Sequence, residues 1–364
     1  MPTALVHDYL NQRGGAERVF AHFVREWPDA PVYTALYDER AVGDLVPRER
    51  VRTSFVQRFP LRDRLFRAYA PFYPRAFEAF DLSAYDVVVS STTAWAKGVI
   101  IRPGAVHVCY INTVSRFVFD AARYVGGFGA GTFARPLIRQ LAAWDVRAAQ
   151  RPTRFVANSR NVAERVRRWY GRDADVLPCP VDVERFTLGA GRGDYYVVVS
   201  RLLPYKRIDL AIRACALAGV PLHVVGDGPD QRRLESLARG TATTFHGRVD
   251  DATRNALLGD ARAAIVPGEE DFGLVPLEAA AAGRPAIAYA AGGALETIEA
   301  GETGAFFGEP DARSLAAAIR AFDPARYAPA RLRAHAERYR PERFLAQLRT
   351  IVDETVAAQA AAAR

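Results

Sequence analysis

Lysine is nearly missing from this 364-residue chain. Of its 49 lysines and arginines, only Lys97 and Lys206 are lysines. Cysteine is almost as scarce. Cys109, Cys179 and Cys215 are widely spaced and each sits beside apolar residues, so they read as buried thiols and not as a disulfide framework or metal cluster. No apolar run approaches the ~20 residues that a membrane-spanning helix needs. The start, Met1 to Asp8, lacks the basic opening and long apolar core of a secretory signal, and the expected location is the cytoplasm. No complete G-x-G-x-x-G fingerprint occurs at Gly226-Asp-Gly228-Pro229, which reads as a tight turn. No internal repeat of solenoid length is present.

What is there is ordinary globular composition, half apolar and a quarter charged, in a length that suggests two domains. The formal charge of +8 is unevenly placed. Through Pro178 there are 26 basic against 17 acidic residues, a net of +9; the remainder holds 23 against 24, a net of −1. A positive first half suggests an acidic surface or an anionic substrate.

Short β-branched runs alternate with helical stretches along the chain. Strands are expected at 3–9, 31–37, 85–91, 99–101, 106–111 and 154–159. Gly14-Gly15 precedes a helix over 18–26, where glycine permits close backbone approach to a ligand or simply makes a turn. His7-Asp8 and the segment Asn112 to Asp120, with Arg116, lie at strand C-terminal ends, where open α/β sheets bind ligands. Gly126 to Gly131 is either an acceptor loop or an ordinary connection. Between 48 and 77, eight arginines interleave with seven aromatic residues. Three readings stand for that stretch: a solvated face over buried aromatics, an anionic membrane surface, or nucleic-acid binding.

Prolines 178 and 180, then glycines 189, 191 and 193, mark a boundary. The expected domains are 1–178, 179–340 and a C-terminal helix in 341–364 that packs back on the first. The fold class is α/β, two doubly wound Rossmann-like domains with parallel sheets facing across a cleft.

The densest chemistry lies in the second domain. Val266-Pro-Gly-Glu-Glu270-Asp-Phe272-Gly273-Leu274 leads from a strand through an acidic loop into an Ala-rich helix that carries Glu278 and stops near Gly283. Backbone N–H groups at a helix start can hold an anion, and two flanking carboxylates can accept hydrogen bonds from sugar hydroxyls. Ser200-Arg201-Leu-Leu-Pro-Tyr-Lys206-Arg207 lies at another strand end. Arg201 as a fork and Lys206 as a point charge can converge on a diphosphate. The segment Phe245 to Val249 can lay backbone against a nucleobase, with His246 itself structural. Gly292-Gly293 either offers N–H groups to the ligand or is a plain turn.

Together these residues resemble the retaining glycosyltransferases of family 4, with the GT-B fold. Arg201 and Lys206, Glu270 and Glu278, Gly283 and Pro285, Gly292-Gly293 and Glu296, and Gly301-x-Thr303-Gly304 occur in the family's order and spacing. The stretches around Lys206 and Glu270 are similar to those of the bacterial mannosyltransferase-like subgroup that builds O-antigens and other surface polysaccharides. The first half matches more loosely, at His7-Asp8, Gly14-Gly15 and Asn158-Ser159.

The resemblance implies a transfer of mannose or a related hexose, deoxy hexoses included, from a nucleoside-diphosphate donor, GDP-sugar favoured. The acceptor would be a glycan or polyprenyl-diphosphate-linked saccharide. It implies that Arg201 and Lys206 hold the diphosphate, Glu270 with the Phe272–Leu274 backbone meets the sugar, and Glu278 the ribose. Val249 lines the base, Gly14 and Gly15 approach from the other domain, and His7, Asp8, Asn112 and Arg116 form the acceptor side. It implies no cofactor and no metal. One departure stands out: the subgroup's strand-end histidine is Asn112 here, and an amide neither becomes a cation nor relays a proton as imidazole does. A nucleotide-sugar epimerase or hydrolase on the same fold, and a non-catalytic sugar-nucleotide binder, are the alternatives.

Overall fold

The computed structural model describes residues 1–119, 135–191 and 193–362. The Gly-rich stretch 126–131 and Asp120 thus lie outside the described residues. The chain divides into two compact units, Met1–Pro178 with Glu342–Arg364, and Cys179–Pro341.

The first unit is built on a seven-stranded parallel sheet ordered β3-β2-β1-β4-β5-β6-β7. The strands are β1 (Thr3–His7), β2 (Val32–Thr34), β3 (Val51–Thr53), β4 (Val87–Thr92), β5 (Val106–Ile111), β6 (Arg154–Ala157) and β7 (Asp175–Val176). Every residue of β4 and β5 is buried, as expected for central strands covered on both faces. Helix α1 (Gly15–Glu26) buries Val19, Phe20, Phe23 and Val24. Phe23 stacks on Phe344 at 5.8 Å, and Tyr110 meets Phe344 edge-on at 5.5 Å. These contacts seat the C-terminal helix, Pro341–Ala362, which buries Phe344, Leu348 and Val352.

The strand expected at 99–101 does not form. Strand β4 already has β1 on one side and β5 on the other, so no edge is open for those residues. Val99 is buried beneath a turn and Ile100 faces solvent. Conversely, β3 forms inside the arginine-rich stretch, where Arg50 has a structural task. Its guanidinium donates to the carbonyls of Val24, Trp27 and Ala30, at 2.9, 2.5 and 2.7 Å, closing the C-terminal end of α1. A cation there satisfies orphan carbonyls and complements the helix dipole.

The second unit holds a six-stranded parallel sheet ordered β10-β9-β8-β11-β12-β13. Its strands are β8 (Tyr196–Val199), β9 (Leu222–Val225), β10 (Thr243–Gly247), β11 (Ala263–Val266), β12 (Ala286–Tyr289) and β13 (Gly304–Phe307). Both sheets reverse their strand order once, the first between β1 and β4 and the second between β8 and β11. In open α/β sheets the crevice at the carboxyl ends of such neighbours is where ligands bind.

Candidate functional site: two switch points

In the second unit, Lys206 follows β8 and Glu270 follows β11, so the pair straddles the switch point. Lys206 Nζ donates to both carboxylate oxygens of Glu270, at 2.7 and 2.6 Å. The side chains remain 18% and 22% exposed, so a ligand can reach both. Arg201 lies on the same turn after β8 and is exposed.

Local backbone devices hold this arrangement. Gly268 is needed for close approach, since a Cβ would lie 2.9 Å from the carbonyl oxygens of both Tyr205 and Lys206. Gly273 opens helix α2 (Leu274–Ala281) at φ +93°, a left-handed conformation that favours glycine. Phe272 beside it is buried, and Leu274 is half-buried. The N–H of Gly293 donates to the Glu270 carbonyl at 2.8 Å, and Gly292 bridges to Glu270. That bond spends the Gly293 N–H on the loop, which makes this glycine pair a brace for Glu270. The Gly226–Gly228 turn is likewise welded to the β8 turn: Leu202 N–H donates to the Asp227 carbonyl at 2.7 Å.

Glu278, on α2, sits 3.5 Å from the Arg254 guanidinium, which also lies over the Phe186 ring. Arg254 belongs to the helix Asp251–Asp260, capped by the Asp250 side chain on Thr253 N–H. Val249, just before that cap, is half-buried. Tyr195 and His223 stack at 3.9 Å, and His223 lies 4.8 Å from His246. These rings are packing partners, consistent with a structural His246.

The first unit treats its switch point differently. Asp8 follows β1, and its carboxylate accepts from the backbone N–H groups of Thr93, Ala94, Trp95 and Ala96, and from the hydroxyls of Thr92 and Thr93. Asp8 is 1% exposed. It therefore pins the loop after β4 and has no free oxygen to offer an acceptor, which corrects its expected place among acceptor-contacting residues. His7 is buried too, stacked on Phe20 at 4.6 Å with Nδ1 3.0 Å from the Ser91 carbonyl. Burial lowers its pKa, so the ring is neutral and Nδ1 is the donor.

Gly14 and Gly15 begin α1. The Gly14 N–H donates to Glu17 Oε2 at 2.9 Å, and Gln12 Nε2 to Glu17 Oε1 at 3.1 Å. This is half of a capping box, and it occupies one of the N–H groups expected to face the ligand. Asn112 donates through Nδ2 to Ser91 Oγ at 3.0 Å and to the Thr92 carbonyl at 3.2 Å. Its Oδ1 accepts no hydrogen bond among the described residues. Asn158 Nδ2 donates to the Asn112 carbonyl at 2.9 Å, and Ser159 caps the helix Arg160–Tyr170. Arg116, half-buried, reaches Thr113 Oγ1 at 3.4 Å.

The other lysine, Lys97, belongs to no motif. Lys97 Nζ lies 2.5 Å from Asp145, and both side chains are 1% exposed. Asp145 also accepts from Ser115 Oγ at 2.6 Å and Tyr170 hydroxyl at 2.7 Å. Burial next to that carboxylate raises the Tyr170 pKa, keeping the phenol a donor. Lys97 additionally donates to the Ala94 carbonyl, within the loop that Asp8 pins. This network ties the loop after β4 to the Ser115 turn after β5. No sequence spacing reveals it, although the rarity of lysine was a usable signal. Arg254 and Glu17 were missed for the same reason, except that Gly14-x-x-Glu17 fits a helix-start pattern.

Residues 182–338 match the family model described as glycosyl transferases group 1, and residues 13–185 that described as glycosyltransferase family 4. The two models together span most of the chain, and each describes glycosyltransferases. The chain is 34% identical over 265 residues to a D-inositol 3-phosphate glycosyltransferase of Geodermatophilus obscurus, covering 63% of this chain and 57% of that protein. It is 31% identical over 178 residues to a phosphatidyl-myo-inositol mannosyltransferase of Mycobacterium leprae, covering 43% of this chain and 47% of the relative. The chain thus spans about half the length of the curated relatives it matches. Its fold is similar to a sucrose-phosphate synthase from Thermosynechococcus elongatus, with a TM-score of 0.74, 20% identity and coverage of 98% and 100% of the two chains. The GT-B fold of this chain is therefore shared with that protein.

Proposed function

We propose that this chain transfers a hexose, with retention at the anomeric carbon, from a nucleoside-diphosphate donor to a glycan or lipid-linked saccharide of a bacterial surface polysaccharide. The observation that carries the reading is the Lys206–Glu270 pair, partly exposed at the β8/β11 switch point with Arg201 on the same turn. A diphosphate takes Lys206 and Arg201, which stabilise the departing charge as the glycosidic bond breaks. Glu270, released from Lys206, accepts from sugar hydroxyls, and Glu278 accepts from the ribose. The reading assigns the leaving-group charge to these cations, without a metal or a protein nucleophile. A mannosyl or related donor on GDP is favoured by the stretches around Lys206 and Glu270 and by the relative named as a mannosyltransferase.

Asn112 sets the sugar preference in this reading, through Oδ1. The test is a panel of GDP-, UDP- and dTDP-sugars scored by thermal shift, followed by product analysis, with anomeric configuration, on lipid-linked saccharides. One donor class stabilises the protein, and its sugar appears on the acceptor. Absence of stabilisation by every sugar nucleotide and free nucleoside diphosphate sinks the reading. Donor consumption without acceptor points to a hydrolase or epimerase, and binding without turnover to a sensor. If Asn112→His raises turnover on GDP-mannose and leaves the best donor unchanged, the role given to Asn112 is wrong.

A further inference from the structure

The arginine-rich stretch of the first unit takes no part in either switch point. Between Glu49 and Glu78 its only acidic residue is Asp63. Arg50 is spent on the end of α1, but Arg52, Arg58, Arg64, Arg67 and Arg75 are exposed. Large apolar side chains are exposed among them: Phe55 at 38%, Leu61 at 66%, Leu65 at 42% and Phe72 at 45%. The aromatic members are continuous. Phe59 contacts Phe55 at 5.9 Å and Phe72 at 5.1 Å, and Tyr69 at 5.0 Å. Beneath this ledge Val56, Tyr73 and Phe77 are fully buried in the unit's core, so the exposed residues are a second face and not a displaced core.

Leu61 has the least expected conformation. It is left-handed, at φ 47° and ψ 31°, and opens the short helix Arg62–Leu65. For a leucine this costs about 1 kcal/mol or more. The conformation holds the most exposed large side chain of the ledge, and leucine stands where glycine would be easier.

We propose that residues 52–75 dock this protein on an anionic lipid surface. Leu61, Leu65, Phe55 and Phe72 enter the headgroup boundary, and the exposed arginines face lipid phosphates. Charge selects this occupant: the ledge pairs exposed apolar side chains with a nearly unopposed set of guanidinium groups, the pattern of an interfacial anchor. No helix among the described residues is long and apolar enough to cross the bilayer. The proposal does not depend on the donor assignment.

Vesicles of phosphatidylcholine, with and without phosphatidylglycerol, test it by co-sedimentation with the full chain. Binding requires phosphatidylglycerol and weakens with salt. Replacing Arg58, Arg64, Arg67 and Arg75 by glutamine lowers partitioning by about a thousandfold. The variant Leu61→Ser/Leu65→Ser/Phe72→Ser lowers it by about tenfold. Leu61→Gly relieves the backbone strain, so the thermal midpoint holds or rises while vesicle binding falls. All variants keep their stabilisation by sugar nucleotides, which separates this failure from that of the transferase reading. Equal binding to neutral vesicles, or unchanged partitioning of the arginine variant, overturns the proposal. So does tighter binding to single-stranded DNA than to vesicles, or a concentration-dependent dimer that the serine variant dissolves.

Discussion

The two switch points use the same residue types for opposite purposes. At β8/β11 a lysine and a glutamate meet across the crevice and stay open to solvent. At β1/β4 an aspartate crosses the equivalent place, but its carboxylate is buried under backbone N–H donors. The chain's other lysine is buried nearby with Asp145. One crevice keeps its charges accessible; the other consumes them to fix its own loops. A paired charge in a switch-point crevice is therefore informative only together with its exposure and its remaining hydrogen-bonding capacity.

The two lysines give the sharpest way to break this contrast. Lys97→Met strands Asp145 in the core and is expected to cost about 3–5 kcal/mol in chemical denaturation. A loss below about 1 kcal/mol would show that the buried network is dispensable. Lys206→Met is expected to lower turnover about 10²- to 10³-fold, with a stability change within about 1 kcal/mol because its pair is near the surface. Comparable stability losses for the two variants would erase the distinction.

Acidification sharpens the same comparison. His107 of β5 is fully buried against Ser90, 2.8 Å away, and burial drives its pKa down from 6.5 to about 3. The ring is neutral in the fold and protonates first in the unfolded chain. Its contribution to stability is complete above about pH 6.5 and is lost as the pH falls toward about 3. The first unit should lose roughly 3 kcal/mol by about pH 4.5, and His107→Gln should flatten that limb of the stability curve. Hydrogen exchange resolved by unit checks it; an acid limb confined to the second unit contradicts it. The smallest effect is expected at Arg254. Arg254→Gln frees Glu278 from its 3.5 Å partner and should change donor KM about fivefold, roughly 1 kcal/mol, with kcat unchanged. A fall in kcat instead would make Arg254 part of the charge-stabilising set.

Legibility followed the same divide. Strands β10 and β12 lie where period and composition put them, at 243–247 and 286–289, because short β-branched or apolar runs between turn residues leave few alternatives. Val99-Ile-Ile101 has the same composition and forms no strand, since strand formation also needs an unfilled edge, which is a property of the whole sheet. Lys206, Glu270 and Glu278 each lie on a short strand–loop–helix segment, where local spacing carries the geometry. Asp8 was readable as a polar strand end but not as a loop anchor. Its partners begin at Thr92, 84 residues away, and only folding brings them to it.

The sequence by itself determined the α/β alternation, because periodicity and the punctuation by proline and glycine act within a few residues. Tertiary structure alone decided which charges remain accessible. Burial and partnership depend on contacts between distant segments: Lys97 with Asp145, Arg254 with Glu278, Arg50 with the end of α1. Desolvation makes an unpaired buried charge costly, so the fold spends most such residues on itself and leaves Lys206 and Glu270 within reach of a ligand.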